Sequence, residues 1–392
     1  MPDSRKKILI VAPYFYPNIE WGGPVTVSFN HVTALKNAGY QVTVLTTDAT
    51  CPGNVPKNAI SNSDGINIVY AKSILKGLAW NFRIFLSIDQ ILKGWKMISQ
   101  FDVVHFQDTF VLQNILLAIR CKALRTPYVI TPHGSLNFTK ERGKSLIKRC
   151  FINLLSKKYL KSCSKIIAVS GSEKENIDQT FPYLKRKTVY IPNIVQTNMF
   201  TKIDLRSKLD IPSNDLIILY LGRIYGLKGV VELASGFLEY LKKYNRSATL
   251  IFAGPDAGSV DEIKKTLKGS DYRNKVIFTG EVMGDYKSNL IYGSDTICLL
   301  SKSESMPTVL LEAASYVKPI ICTKECNMNS LTSCGGALLT DRSPESIALN
   351  ISKLENKKTR TNMGRKAKDW FDINYDTAKI INQYKDIYAN AK

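Results

Sequence analysis

Long apolar runs are what this chain most plainly lacks. No stretch of its 392 residues approaches the ~18 uncharged apolar residues of a membrane-spanning helix, so none is expected. The opening residues carry no hydrophobic signal region and read at once as a strand. Eight cysteines (51, 121, 150, 163, 298, 322, 326 and 334) form no Cys-x-x-Cys pair. That excludes a disulfide-stapled fold and points to reduced thiols in a cytoplasmic protein. Cys322, Cys326 and Cys334 have no histidine near them, and no metal site is expected. A Gly-x-Gly-x-x-Gly pattern is missing after the first strand. The only Gly-Lys pair, Gly143-Lys144, has Phe138 where a phosphate-binding loop needs its first glycine, which excludes a P-loop ATPase. Acidic residues are scarce as well: 33 Asp and Glu face 54 Lys and Arg, a net charge of +21.

What remains is an ordinary globular balance, 44% apolar and 22% charged, in a chain long enough for two domains with separate cores. The basic excess is uneven. Residues 1–196 hold 26 Lys and Arg against 11 Asp and Glu, and residues 197–392 hold 28 against 22. The first half is therefore the one that faces negative charge. Strand-length apolar runs at 7–12, 41–46, 66–71, 102–106, 127–131, 165–169 and 188–191 alternate with helical patterns. A second series follows at 216–221, 248–253, 275–279, 296–300 and 319–322. Runs nearly continuous in Ile, Val and Leu belong to parallel strands buried on both faces. Their alternation with helices predicts two doubly wound α/β domains. The expected limits are 1–196 and 197–370, with a linker at 195–212 and a C-terminal helical segment, 371–392, that packs back on the first domain.

Ligands of such sheets sit at the carboxyl ends of strands, so the informative motifs are there. Gly22-Gly23-Pro24 lies between the first strand and a helix, where backbone N–H groups can approach an anion. Thr131-Pro132-His133-Gly134 follows a strand directly, and His133 is one of only three histidines, with His31 and His105. Leu221-Gly222-Arg223 ends the first strand of the second series, and Lys228-Gly229 opens the next helix. A guanidinium fork and an ammonium one loop apart suit two phosphates. The richest stretch runs Glu304-Ser305-Met306-Pro307-Thr308-Val309 and on to Glu312. Pro307 suits a first helical turn, and the helix start offers unpaired N–H groups to a phosphate or sugar oxygen. Glu304 and Glu312 could bracket a ligand with carboxylates that accept hydrogen bonds from sugar hydroxyls. A tight turn, a solvated charge pair or a capped surface helix accounts for any one of these features taken singly.

Taken in order and spacing, the set resembles the retaining glycosyltransferases of family 4. The matching stretches are Gly22-Gly23, Thr131-Pro132-His133-Gly134, Ala168-Val169-Ser170, Ile191-Pro192-Asn193, Leu221-Gly222-Arg223 with Lys228-Gly229, Phe252-Ala253-Gly254, Glu304-x7-Glu312 and Lys318-Pro319-Ile320-Ile321, spread over residues 8–325. The resemblance implies the GT-B fold, two facing Rossmann-like domains, and transfer of a sugar from a nucleoside-diphosphate sugar to a hydroxyl. It implies that Arg223 and Lys228 hold the diphosphate and stabilise it as leaving group. Glu304 would bind hydroxyls of the transferred sugar and Glu312 the nucleotide ribose. His133 would stand beside the donor sugar, and Gly22 and Gly23 would approach the phosphates. Met306, Pro307, Thr308 and Val309 belong to the same donor-binding stretch, and catalytic roles fall on His133, Arg223, Lys228 and Glu304. Two departures stand out. The family commonly reads Ile-Pro-Asn-Gly-Val-Asp where this chain has Ile191-Pro192-Asn193-Ile194-Val195-Gln196. Gly and Phe often follow the first acid of the pair, where this chain has Ser305-Met306-Pro307, a variant similar to transferases of bacterial surface polysaccharides.

Asp-x-Asp occurs nowhere, so cationic side chains and helix N-termini, not a metal, are expected to neutralise the leaving diphosphate. No cofactor is expected beyond the sugar nucleotide as co-substrate. The resemblance further implies retention without a protein nucleophile, the leaving phosphate helping to deprotonate the acceptor. A phosphorylase of the same fold would be expected to carry a pyridoxal-phosphate lysine site, and this sequence shows no motif for one. The alternative that the +21 charge suggests is a basic nucleic-acid-binding protein, but this sequence has no helix-turn-helix, zinc-finger or RNA-binding-sheet signature, and nucleic acid is not an expected partner. Expected partners are the donor, a saccharide or lipid-linked saccharide of lipopolysaccharide O-antigen or capsule, and an anionic membrane. The membrane expectation rests on 139–165, where Lys140, Arg142, Lys144, Lys148, Arg149, Lys157, Lys158, Lys161 and Lys165 face one acid, Glu141. Leu146, Ile147, Phe151, Leu154, Leu155 and Tyr159 are interleaved at helical spacing. The expected location is cytoplasmic, peripheral on the inner face of the cell membrane.

Overall fold

The Ile-, Val- and Leu-rich runs become parallel strands, most of them fully buried, in a computed structural model that describes residues 6–16, 23–49, 60–63, 66–74, 86–136, 156–195, 200–244 and 246–392. Two units form, Met1–Ile194 with Thr377–Lys392, and Val195–Asp376. In the first, strands β1 (Lys7–Val11), β2 (Gln41–Thr47), β3 (Ile60–Ser63), β4 (Ile66–Ala71), β5 (Val103–Gln107), β6 (Tyr128–Thr131), β7 (Lys165–Ala168) and β8 (Thr188–Tyr190) lie in the order β3-β4-β2-β1-β5-β6-β7-β8. Every pairing is parallel except β3 with β4. The helices among the described residues are α1 (Gly23–Asn37), α2 (Ile88–Met97), α3 (Leu112–Leu124), α4 (Lys157–Ser162) and α5 (Gly171–Thr180). The chain winds one way from β1 to β2 and the other way from β5, so the topological switch point falls between β1 and β5.

In the second unit, β9 (Leu216–Leu221), β10 (Ala248–Ala253), β11 (Val276–Gly280), β12 (Thr296–Leu299), β13 (Ile320–Cys322) and β14 (Ala337–Leu339) form an all-parallel sheet ordered β11-β10-β9-β12-β13-β14. Helices α6 (Leu205–Lys208), α7 (Val230–Tyr244), α8 (Val260–Leu267), α9 (Gly284–Gly293), α10 (Thr308–Ser315), α11 (Asn329–Ser333), α12 (Pro344–Lys353) and α13 (Lys357–Asn374) connect and flank the strands. Here the switch point lies between β9 and β12. A ligand crevice opens at such a point, because neighbouring loops there diverge to opposite faces of the sheet.

The last helix, α14 (Thr377–Ala389), belongs to the first unit, where Ile380, Ile381, Tyr384 and Tyr388 are buried with Ile8, Ile10, Val32 and Val129. One reason is visible in β5. His105 is wholly buried in mid-sheet, and a buried imidazole needs partners for both nitrogens. Thr131 Oγ1 supplies one at 2.7 Å, and the hydroxyl of Tyr388 on α14 supplies the other at 2.8 Å. Strands β3 and β14 lie outside the runs expected from the sequence: Ile60-Ser-Asn-Ser is mostly polar, and β14 is three residues long. The stretch expected as a linker holds the short helix α6, whose start is capped by the Asp204 carboxylate. Among the described residues no helix is long and apolar enough to cross a membrane.

Candidate active site

The second unit assembles its polar groups at the β9/β12 switch point. Gly229 has φ 71°, in the left-handed region that favours glycine, and a Cβ there would collide with Leu300 at the end of β12. The missing side chain lets the loop after β9 lie directly against the loop after β12. Lys228 Nζ consequently sits 2.5 Å from Glu304 Oε1, and the Ser301 hydroxyl donates to the same oxygen at 2.6 Å. The carboxylate loop is held from every side. Lys302 N–H donates to Leu227 O (2.8 Å), Glu304 N–H to Glu325 O (3.1 Å), and the Asn327 amide to Glu304 O (2.6 Å). Arg342 donates to the carbonyls of Leu300 and Ser301 and pairs with Glu325. A loop with this many ties presents Glu304 in one place.

Arg223 stands where β9 ends, its carbonyl accepting from the Tyr220 hydroxyl at 2.6 Å. Burial raises the Tyr220 phenol well above its ordinary range; the Glu304 carboxylate adds to that shift and the Arg223 guanidinium opposes it. Arg223, Lys228 and Glu304 are thus gathered around one strand end. Pro307 is the N-cap of α10 and no side chain caps that start, so Thr308 and Val309 stand in a first turn without a side-chain acceptor. Met306 is half-buried against the core. Glu312, within α10, is 8% exposed and receives Lys287 Nζ on Oε1 at 2.7 Å. Its Oε2 is buried with no partner among the described residues, an arrangement that costs free energy as it stands. The two carboxylates expected to act together therefore have separate ammonium partners, Lys228 and Lys287.

The first unit brings its three histidines together. His133, at the end of β6, has φ 51° and is followed by Gly134 at φ 83°. The Glu173 carboxylate ties this turn to β7, accepting from Gly134 N–H at 2.5 Å and Val169 N–H at 2.8 Å. Gln107 Oε1, at the end of β5, is 2.5 Å from His133 Nε2. The Gln107 amide nitrogen is buried without a partner among the described residues. A small cavity is lined by His31, Gln107, Thr131, His133, Asn193 and Tyr384. Gly23 opens α1 exposed, while Gly22 lies outside the described residues.

Desolvation holds these imidazoles neutral. His31 is lowered to about 3, with His133 adding to the shift, His133 to about 4, and His105 well below its ordinary value. In the unfolded chain each titrates near 6.5, so the unfolded state binds more protons below that pH. The stability tied to the neutral rings is present above 6.5 and lost as pH falls towards 4. The melting temperature is expected to decline across that interval, and less steeply in His133→Asn. Identical slopes for wild type and variant would remove His133 from the cluster.

Sequence reasoning missed Lys287, Gln107 and Glu173. Lys287 carried no local signal. Glu173 did: Ser170-Gly171-Ser172-Glu173 is a capping-box pattern, and the Ser170 hydroxyl indeed accepts from Glu173 N–H at 3.1 Å.

Residues 21–199 match the family model described as Glycosyltransferase Family 4, and residues 201–370 match the one described as Glycosyl transferases group 1. The chain belongs to glycosyltransferase family 4. Its fold is GT-B: HepE from Anabaena, solved in complex with UDP and glucose, superposes with a TM-score of 0.76 at 17% identity, covering 98% of this chain and 100% of that one. Among curated family members, the Escherichia coli UDP-Gal:alpha-D-GlcNAc-diphosphoundecaprenol alpha-1,3-galactosyltransferase is 21% identical over 100% of this chain and 99% of its own. TuaC of Bacillus subtilis (strain 168), a glycosyltransferase assigned to teichuronic acid biosynthesis, is 27% identical over 61% of this chain, which spans 57% of that relative's length.

Proposed function

We propose that this family 4 transferase is a retaining enzyme that moves a sugar from a nucleoside-diphosphate sugar to a hydroxyl of a lipid-linked saccharide in bacterial surface polysaccharide synthesis. The observation that carries the reading is the β9/β12 switch point, where Lys228, Arg223 and the uncapped start of α10 supply positive potential beside the fixed carboxylate of Glu304. Arg223 and Lys228 take the diphosphate, Glu304 the hydroxyls of the transferred sugar, and Glu312 the ribose through its unpaired oxygen. In the first unit His133 and Gln107 offer polar atoms to saccharide hydroxyls. The bond from the anomeric carbon to the diphosphate oxygen breaks as the acceptor oxygen bonds to the same face, and the acceptor proton passes to the departing phosphate. Transition-state stabilisation falls on the cations, which meet a growing negative charge as the diphosphate leaves.

Donor hydrolysis across UDP-, GDP- and ADP-sugars without acceptor, in EDTA, reads both the nucleotide and the metal requirement. Hydrolysis of one nucleotide class in EDTA is expected, since Asp-x-Asp is missing from the sequence. Strict dependence on added metal would count against the mechanism, and an inverted anomer in the transfer product would count against retention. The two relatives named for surface-polymer and lipid-diphosphate chemistry support the acceptor class. An acceptor anchored in lipid places the enzyme peripherally on the inner face of the cell membrane.

A further inference from the structure

Helices α2 and α3 of the first unit leave an apolar face in solvent. On α2, Ile88 (56% exposed), Leu92 (58%) and Trp95 (40%) recur at i, i+4 and i+7. On α3, Leu112 (40%) and Ile119 (56%) are seven residues apart, two turns along one face. The two helices run side by side in the same direction. Gln113 bonds Gln90, Leu117 packs on the bare Cα of Gly94, and the Arg120 guanidinium lies 5.2 Å over the Trp95 ring. That register puts Leu112 level with Ile88 and Ile119 level with Trp95 along the helix pair.

Helix α3 buries its opposite side in the core through Ile115, Leu117, Ala118 and Cys121, and α2 turns Gln90 and Gly94 inward, Gln90 donating to the carbonyls of Ala12 and Leu45. The exposed stripe is therefore not left over from an unformed core. Four cations lie on these two helices, Lys93, Lys96, Arg120 and Lys122, against one acid, Asp89, which Lys93 already pairs at 2.8 Å. A second copy docking through this face would set those cations against each other. An anionic, apolar-centred partner fits instead. The face also begins at the carboxyl edge of the sheet: the Ser87 hydroxyl at the start of α2 donates to Lys72 O just past β4, and Asn114 in α3 donates to the carbonyl of Gln107, the partner of His133.

We propose that the α2–α3 face is the surface by which this protein seats on an anionic lipid bilayer, with Leu92 and Ile119 in the acyl boundary, Trp95 at headgroup level and Lys96, Arg120 and Lys122 on lipid phosphates. This rests on the peripheral-membrane reading above but moves the contact away from the basic stretch expected to make it. Of that stretch, 139–155 lies outside the described residues. In α4 the apolar Tyr159 and Leu160 are buried in the core, which leaves the charges of Lys157, Lys158 and Lys161 outside.

Flotation with phosphatidylglycerol and phosphatidylcholine vesicles tests it, using the full chain. Wild type is expected to float with phosphatidylglycerol at low salt, and Leu92→Asp/Ile119→Asp to lose at least tenfold in partitioning with an unchanged melting curve. Brominated phosphatidylglycerol should quench tryptophan fluorescence, and Trp95→Phe should remove most of that quenching while still floating. Lys157→Glu/Lys158→Glu is the comparison. If it abolishes flotation while the Leu92/Ile119 variant binds normally, this face is wrong and the peripheral reading stands. Wild type that stays in the supernatant overturns both. Vesicle-independent dimerisation that Leu92→Asp reverses makes the occupant a second copy and overturns the bilayer assignment.

Discussion

Lys228→Ala is expected to lower turnover on the order of 10²-fold or more while the protein still folds, and Arg223→Ala to do the same. Both side chains are partly exposed at a strand end and neither belongs to the core, so the loss falls on the departing diphosphate. In the structure Lys228 is occupied by Glu304 at 2.5 Å, and the Ser301 hydroxyl is that carboxylate's other partner. Truncating Lys228 thus removes a cation from the diphosphate and leaves Glu304 less well held, whereas truncating Arg223 leaves the Lys228–Glu304 pair intact. The two variants should therefore differ in kcat more than in donor KM, with Lys228→Ala the more impaired. Steady-state kinetics on purified variants with matched melting curves decide the matter. Near-wild-type turnover in both would remove the leaving-group assignment.

The acidic pair should split by kinetic constant. Glu304→Gln is expected to cost mainly kcat, because a neutral amide no longer balances Lys228 beside the sugar and accepts weaker hydrogen bonds from its hydroxyls. Glu312→Gln is expected to raise donor KM about tenfold or more with a smaller change in kcat, since ribose contacts are made alike in the ground and transition states. Lys287, left without its carboxylate partner at 2.7 Å, provides the control: Lys287→Met should move KM in the same direction as Glu312→Gln. Donor titrations across the three variants read the split. Equal losses of kcat in Glu304→Gln and Glu312→Gln would merge the two roles.

The sequence by itself determined the architecture and the motif positions. Buried parallel strands are written as unbroken Ile, Val and Leu runs, because both faces of each strand meet helices and no polar alternation is tolerated. Gly222 and Gly254 were legible as strand-end glycines and Gly229 as the opening of a helix, and the structure gives all three positive φ. The places of His133 and Arg223 just past strand ends, of Lys228 before a helix and of Glu304 and Glu312 around a helix start were legible, because such positions are a property of local order along the chain.

Tertiary structure alone decided the partners. Nothing local says that Lys228 meets Glu304, 76 residues away, or that Lys287 meets Glu312; strand order β9-β12 and the bare Cα of Gly229 bring the first pair together. The sequence expectation for this end was a segment 371–392, whereas residues up to Asp376 stay in the second unit and α14 joins the first through contacts such as the Tyr388–His105 bond, which spans 283 residues. The apolar stripes show the same division. Tyr159 and Ile119 look alike in sequence, each an apolar residue on a basic helix; one packs on Phe106 and Tyr128 and the other faces water. Helical period fixes that an apolar face exists. Which faces the sheet covers depends on where the helix lands, and that is set by contacts far apart along the chain.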